Sequence, residues 1–169
     1  NERVLLVKYK DFRSSESYEI TFHPYYLKQY NNRWFVFGLN SDNQVPNWNL
    51  ALDRIESLSE TSRKYKQSET DWEEYFFDLI GVTRPEGVNL QEVVLKFSPE
   101  VAPYVITKPI HPSQKHKHDP TGLEIKIKVI PNIEMESLIL SFGEQVKVIS
   151  PQDLTERISR RLRSAGRLY

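Results

Sequence analysis

The stretch Tyr30-Asn31-Asn32-Arg33-Trp34-Phe35-Val36-Phe37-Gly38 constrains this chain more than any other. Asparagine tolerates the positive φ of a two-residue hairpin loop, so Asn31-Asn32 predicts a tight turn joining a strand that ends at Tyr30 to one that begins at Arg33. In the second strand Trp34, Val36 and Gly38 point to one face and Arg33, Phe35 and Phe37 to the other, which puts apolar groups on both sides. Such a strand belongs in the centre of a sheet or in a barrel wall, with Trp34 in the core.

The surrounding residues supply partners for it. Residues 3–9 are short, β-rich and bounded by polar residues, and residues 18–22 alternate before meeting Pro24, which cannot donate to a sheet ladder. A corner is expected at His23-Pro24. After a second turn at residues 40–43, residues 48–52 resume a strand. About five short antiparallel strands predict a small closed barrel, because closure removes the edges that so small a sheet would otherwise expose.

At 169 residues the chain is long enough for two small cores. With 38% apolar and 27% charged residues it has an ordinary globular composition, and no window approaches the roughly 18 apolar residues of a membrane helix. Cysteine is absent, which excludes disulfides, thiol nucleophiles and thiolate metal sites. A reducing cytoplasm is compatible with that and is the expected location, and a start at Asn1 without a basic-then-apolar leader suggests a segment of a longer protein.

Residues 56–70 are polar and charged and read as a linker with no internal repeat. Thr70 is placed to cap a short helix over residues 71–80, ended by Gly81. Then come a strand at 91–96, a helix at 99–106 behind a Ser98 cap, a possible strand at 112–117 and a strand at 123–130. In this last strand Leu123, Ile125, Ile127 and Val129 alternate with Glu124, Lys126 and Lys128, the pattern of a half-buried strand. Asn132 caps a helix over 133–142 that Gly143 ends, residues 145–149 form a strand, and Ser150-Pro151 opens a final helix. The order βαββαβ plus a terminal helix is the ferredoxin-like arrangement. The fold class is therefore α+β: a mainly β first half, read as a small antiparallel barrel over 1–60, a linker with a bridging helix over 61–88, and a ferredoxin-like domain over 89–169.

Three elements are recognisable together: Pro24-Tyr25-Tyr26-Leu27, then Asn32-Arg33-Trp34-Phe35-Val36-Phe37-Gly38, then Leu50-Ala51-Leu52-Asp53-Arg54-Ile55. In order and spacing they resemble the WYL domain over residues 3–60. The second half, closing on Ile149-Ser150-Pro151 followed by Leu154, resembles the WCX extension that follows many WYL domains. The resemblance implies an Sm-like or SH3-like barrel from a bacterial transcription regulator, downstream of a winged helix-turn-helix, sensing a nucleotide or single-stranded nucleic acid and acting as a homodimer. Trp34-Phe35-Val36 replaces the naming tripeptide, and Thr21, Trp48 and Ala51 stand at positions that are often basic. A pocket with more aromatic stacking and fewer charges is expected.

Candidate ligand contacts follow. Arg54 interrupts an apolar run beside Asp53, and a guanidinium held by the barrel wall can grip a phosphate bidentately; a structural Asp53–Arg54 pair is the competing reading. Tyr25 and Trp48 could stack bases, and His23 stands beside them at the corner. His111-Pro112-Ser113-Gln114 resembles a recurrent element of such proteins, so His111, Ser113 and Gln114 are polar candidates. His116, His118 and Asp119, flanked by lysines, read as a solvated loop, and no metal or other cofactor is expected. No G-x-S-x-G, H-E-x-x-H or P-loop pattern occurs, and Glu73-Glu74 and Glu134 with Glu136 read as solvated helix faces, so no enzyme is expected. Residues 1–90 carry a net charge of −3 and residues 91–169 +3, the latter concentrated in a final helix with Arg157, Arg160, Arg161, Arg163 and Arg167.

Overall fold

Asn31 and Asn32 adopt φ of 47° and 60°, and Tyr30 pairs with Arg33 across the loop they form. The computed structural model describes residues 2–12 and 14–169, with only the backbone of Asp119, and divides into two compact units, Asn1–Trp72 and Glu73–Tyr169.

The first unit is one antiparallel sheet of β1 (Leu5–Tyr9), β2 (Tyr18–Tyr30), β3 (Arg33–Asn40), β4 (Val45–Ala51) and β5 (Ile55–Glu60), in the order β4-β3-β2-β1-β5. Val7, Tyr9, Ile20, Phe22, Val36 and Leu50 form its core. Gly38 lets β2 approach closely, since a Cβ there would meet the His23 carbonyl oxygen at 2.1 Å.

Four expectations change here. The sheet is open rather than closed, because β4 pairs only with β3 and β5 only with β1 among the described residues. A short 3-10 turn over Leu52–Arg54 joins these two edge strands without pairing them. Of the two outcomes expected at Pro24, an end or a bend, the bend holds and the separate strands merge: β2 runs through it, with the register shifting between Pro24 and Tyr26 so that the missing N–H falls at a bulge. β5 replaces the start of the polar linker; its Ile-Glu-Ser-Leu-Ser-Glu sequence is an exposed edge with no buried face to announce it. Trp34 lies outside the core at 47% exposure, near the hairpin tip, while Val36 and Phe37 take the buried positions.

Residues beyond β5 belong to the same unit. The Tyr65 hydroxyl donates to the Pro24 carbonyl at 2.6 Å, the Lys66 N–H donates to His23 Nδ1 at 3.1 Å, and Trp72 stacks on Tyr26 at 5.9 Å. This strap lies on β2 as an aromatic cluster. Helix α1 (Trp72–Phe77) is shorter than the span 71–80.

The second unit holds β6 (Gln91–Phe97), α2 (Ala102–Thr107), β7 (Lys115–Asp119), β8 (Gly122–Val129), α3 (Ile133–Ser141), β9 (Val146–Ser150) and α4 (Gln152–Gly166). Its antiparallel sheet has the order β7-β8-β6-β9. Leu123, Ile125, Ile127 and Val129 project to one face and join Ala102, Val105, Met135, Ile139, Leu154 and Ile158 in one core, so the helices α2, α3 and α4 cover that face. Asn132 caps α3 by accepting the Met135 N–H at 2.8 Å, and Gly143, at φ 56°, follows its end. α2 starts later than expected, with Pro103 in its first turn, because the Ser98 hydroxyl is bonded to the Gln145 side chain instead of capping a helix.

Candidate ligand-binding site

Arg54 closes the 3-10 turn between β4 and β5, and its carbonyl accepts the Lys10 N–H at 3.1 Å, tying the loop after β1 to the turn. That loop carries Phe12, whose ring lies 4.0 Å from the Arg54 guanidinium carbon in a cation–π contact. Phe12 is 74% exposed. Asp53, one residue earlier, faces elsewhere and pairs with Arg33 at 3.2 Å. Arg54 Nε is buried without a hydrogen-bond partner among the described residues.

Trp48 stands opposite Gly38 on β4 and packs against the core of the first unit. Its indole Nε1 is likewise buried and unpartnered. Among the described residues of this unit, the buried side-chain polar atoms without partners are these two donors, and each donor left without an acceptor costs about 1–3 kcal/mol. The two donors lie six residues apart in sequence, the Arg54 one cationic and the Trp48 one neutral, and an anionic group is the acceptor that suits the first.

Tyr25 and His23 sit elsewhere on β2, within the strap cluster. Tyr25 makes an edge contact with Tyr65 at 5.9 Å and a tilted one with Trp72 at 6.3 Å, and its hydroxyl pKa is raised by burial and then by Tyr65. His23 is buried and accepts from Lys66 through Nδ1, so the neutral ring carries its proton on Nε2. Burial, then the charges of Lys66 and Arg63, hold its pKa below the ordinary histidine value.

His111, Ser113 and Gln114 form a closed network inside the second unit. His111 Nε2 lies 2.7 Å from the Phe77 carbonyl, which only accepts, so Nδ1 is the acceptor facing the Ser113 N–H and hydroxyl. Ser113 Oγ also accepts the Lys128 N–H at 2.9 Å, while Gln114 donates to the Val105 carbonyl at 3.0 Å and accepts the Ile110 N–H. These polar atoms hold the ends of α1, α2 and β8 together. His116 and His118 lie exposed on β7, not in a loop.

The acidic residues of α3 are not a solvated face. Glu136 is buried and receives Arg157 at 2.7 Å and Arg161 at 3.0 Å, and Glu134 accepts from the Thr83 hydroxyl at 2.6 Å. A cleft of about 450 Å³ opens beside them, with Glu136, Asp153 and Arg157 in its wall. Arg157 bonds Asp153 as well, so these charges compensate one another.

Sequence reasoning missed Phe12, Tyr65 and Trp72. Each was visible as an aromatic inside or beside a polar stretch, a position that water alone does not favour.

An open antiparallel β unit, followed by a second antiparallel sheet covered on one face by helices, defines a two-unit α+β protein. The chain carries a WYL domain and a WCX domain: residues 1–60 match the first and residues 89–166 the second. No curated protein sequence matches it. A solved structure titled as a CRISPR Cas-related protein is similar in fold, at 15% identity and TM-score 0.58, over 99% of this chain and 48% of that one. Proteasome accessory factor B/C (PafBC) of Arthrobacter aurescens aligns at 18% identity and TM-score 0.38, over 93% of this chain and 24% of that one. The chain thus spans less than half the length of either protein.

Proposed function

We propose that the chain is the ligand-sensing region of a bacterial transcription regulator, binding a nucleotide or single-stranded nucleic-acid effector and controlling a DNA-binding domain elsewhere in a cytoplasmic, homodimeric protein. It binds rather than turns over its ligand. The WYL and WCX matches support this reading, and one observation carries it: Arg54 is not neutralised by Asp53, and its Nε is a buried donor awaiting an acceptor. A phosphate oxygen there would satisfy the donor, with Phe12 and Trp48 offering ring surface to a base. The sheet order and the 3-10 turn before the last strand support an opened Sm-like or SH3-like barrel, and the βαββαβ order supports a ferredoxin-like second unit.

A rival reading is a dimerisation module without an effector, favoured by an apolar groove in the first unit. Leu27, Leu52 and Leu58 line it at 56%, 40% and 55% exposure, which suits a second copy of the chain. Titrating tryptophan fluorescence with mononucleotides and with short single-stranded DNA and RNA separates the two. A saturable change that weakens in Arg54→Ala supports sensing; no response from any of these ligands, with dimers intact, supports the rival.

A further inference from the structure

We propose that the cleft between α3, α4 and the loop ahead of β6 is a binding site for a free α-amino acid with an apolar side chain. Its volume of about 450 Å³ falls within the range of small-molecule sites, and every residue of its wall belongs to the second unit, apart from the Arg54 turn. The loop contributes Val88, Pro131 and Ile133 flank the cap of α3, and the first turns of α4 contribute Asp153 and Arg157.

Glu136 is buried in this wall, and a buried carboxylate costs free energy that an apolar residue at the same helix position would not. Both of its oxygens are taken, one by Arg157 at 2.7 Å and the other by Arg161 at 3.0 Å. Arg157 is thereby held, but not used up. Two of its five N–H groups go to Glu136 and Asp153, and the other three have no acceptor among the described residues. Asp153 is more than half exposed and meets Arg157 through Oδ2; that hydrogen bond holds its pKa below the ordinary carboxylate value, so it stays ionised.

The charges select the occupant. Glu136, Asp153, Arg157 and Arg161 sum to zero, so a ligand whose own charges cancel disturbs their balance least. A lone carboxylate would meet Arg157 but also the repulsion of Asp153 beside it, and a lone ammonium would compete for the carboxylates that hold Arg157. Arg157 and Asp153, 2.7 Å apart, present opposite charges side by side. Their complement is an ammonium and a carboxylate on one carbon, the carboxylate taking the free guanidinium N–H groups and the ammonium lying against Asp153. A peptide separates these two groups and fits the pair less well. Val88, Pro131 and Ile133 supply the apolar wall for the side chain, and Ile133, 54% exposed at the first position of α3, gains cover from it.

The test titrates the full, isotope-labelled chain with L-leucine, L-methionine and L-phenylalanine at millimolar concentration and follows its amide resonances. At least one of the three should saturably shift the signals of residues 85–91, 133–136 and 153–157. The amine and the acid that keep the same side chain and one charge each (3-methylbutylamine and 4-methylpentanoate for leucine) should bind about tenfold or more weakly, each having lost a charge-assisted contact. Asp153→Asn and Ile133→Thr change exposed side chains and leave the fold in place; the first should weaken the best binder about tenfold and the second severalfold. Both variants should leave mononucleotide quenching of tryptophan unchanged, and Arg54→Ala should bind the amino acid as the wild type does, which separates failure here from failure of the Arg54 reading. The proposal is overturned if none of the three amino acids shifts those signals, if the amine, the acid or leucyl-leucine binds as tightly, if neither cleft variant alters affinity, or if Arg54→Ala abolishes it.

Discussion

Asp53 and Arg54 are neighbours in sequence and strangers in structure: the Asp53 carboxylate lies 3.2 Å from Arg33 Nε, and the Arg54 guanidinium lies over Phe12. Removing Arg54 should therefore cost little stability. Arg54→Ala is expected to shift unfolding by less than about 1 kcal/mol, because a buried orphan donor goes with it, while nucleotide affinity falls about 10- to 100-fold for one lost charge-assisted contact. Urea melts beside fluorescence titrations measure both. Asp53→Ala, which breaks a pair exposed at both ends, should change stability by about 0–1 kcal/mol and leave affinity alone.

His23 makes the strap sensitive to pH. Its folded pKa lies below the ordinary value because burial and the Lys66 and Arg63 charges disfavour the imidazolium. The unfolded chain then binds more protons than the folded one, so the stabilisation is complete above the unfolded pKa of about 6.5 and is lost as pH falls through the lower folded value. Protonation also ends acceptance from the Lys66 N–H. Melting temperature should drop below pH 6.5 in the wild type and stay flatter in His23→Asn, whose side-chain oxygen can still accept; equal slopes in the two proteins would remove His23 from this role.

Trp72 is 8% exposed and packs on Tyr25, Tyr26 and Phe37. Trp72→Ala should destabilise the first unit by about 3–5 kcal/mol, as truncation of a buried aromatic does. Amide exchange should rise first at residues 61–72 and along β2. Retained protection there would mean that the hydrogen bonds to His23 and Pro24 suffice without the indole.

Asn132 does two jobs with one amide. Its oxygen caps α3 through the Met135 N–H, and its nitrogen donates to the Ile80 and Thr83 carbonyls at 2.9 and 2.8 Å. Asn132→Ala should cost about 2–4 kcal/mol, combining a lost cap with buried carbonyls left unpaired. Asn132→Asp keeps the cap but faces two carbonyls with a carboxylate, and thermal denaturation should rank it near Ala rather than near wild type.

Periodicity made the central elements legible. The hairpin at Asn31-Asn32, the alternating β8 and the Asn132-capped α3 all follow from local rules that packing reinforces. What escaped were elements defined by neighbours alone. β5 is a strand because β1 offers it a ladder, not because its own residues alternate into a core. Pro24 sits in a long strand because a bulge accommodates it, and Trp34 is exposed because it lies at the hairpin tip, where the core has ended. Arg54 was visible as a cation within an apolar run; its aromatic neighbour was not, since Phe12 meets it only through the Lys10–Arg54 hydrogen bond that folds the loop back.

The strap separates two meanings of the word domain. The WYL match ends at residue 60, yet the compact first unit continues to Trp72. Twelve further residues fill His23 Nδ1, cover the Tyr25 and Tyr26 rings and bond the Pro24 carbonyl. A gene fragment trimmed to the inherited module would thus leave an unsatisfied histidine and a wet aromatic shelf on β2, inviting association by the wrong surface. The unit that is inherited is shorter than the unit that folds.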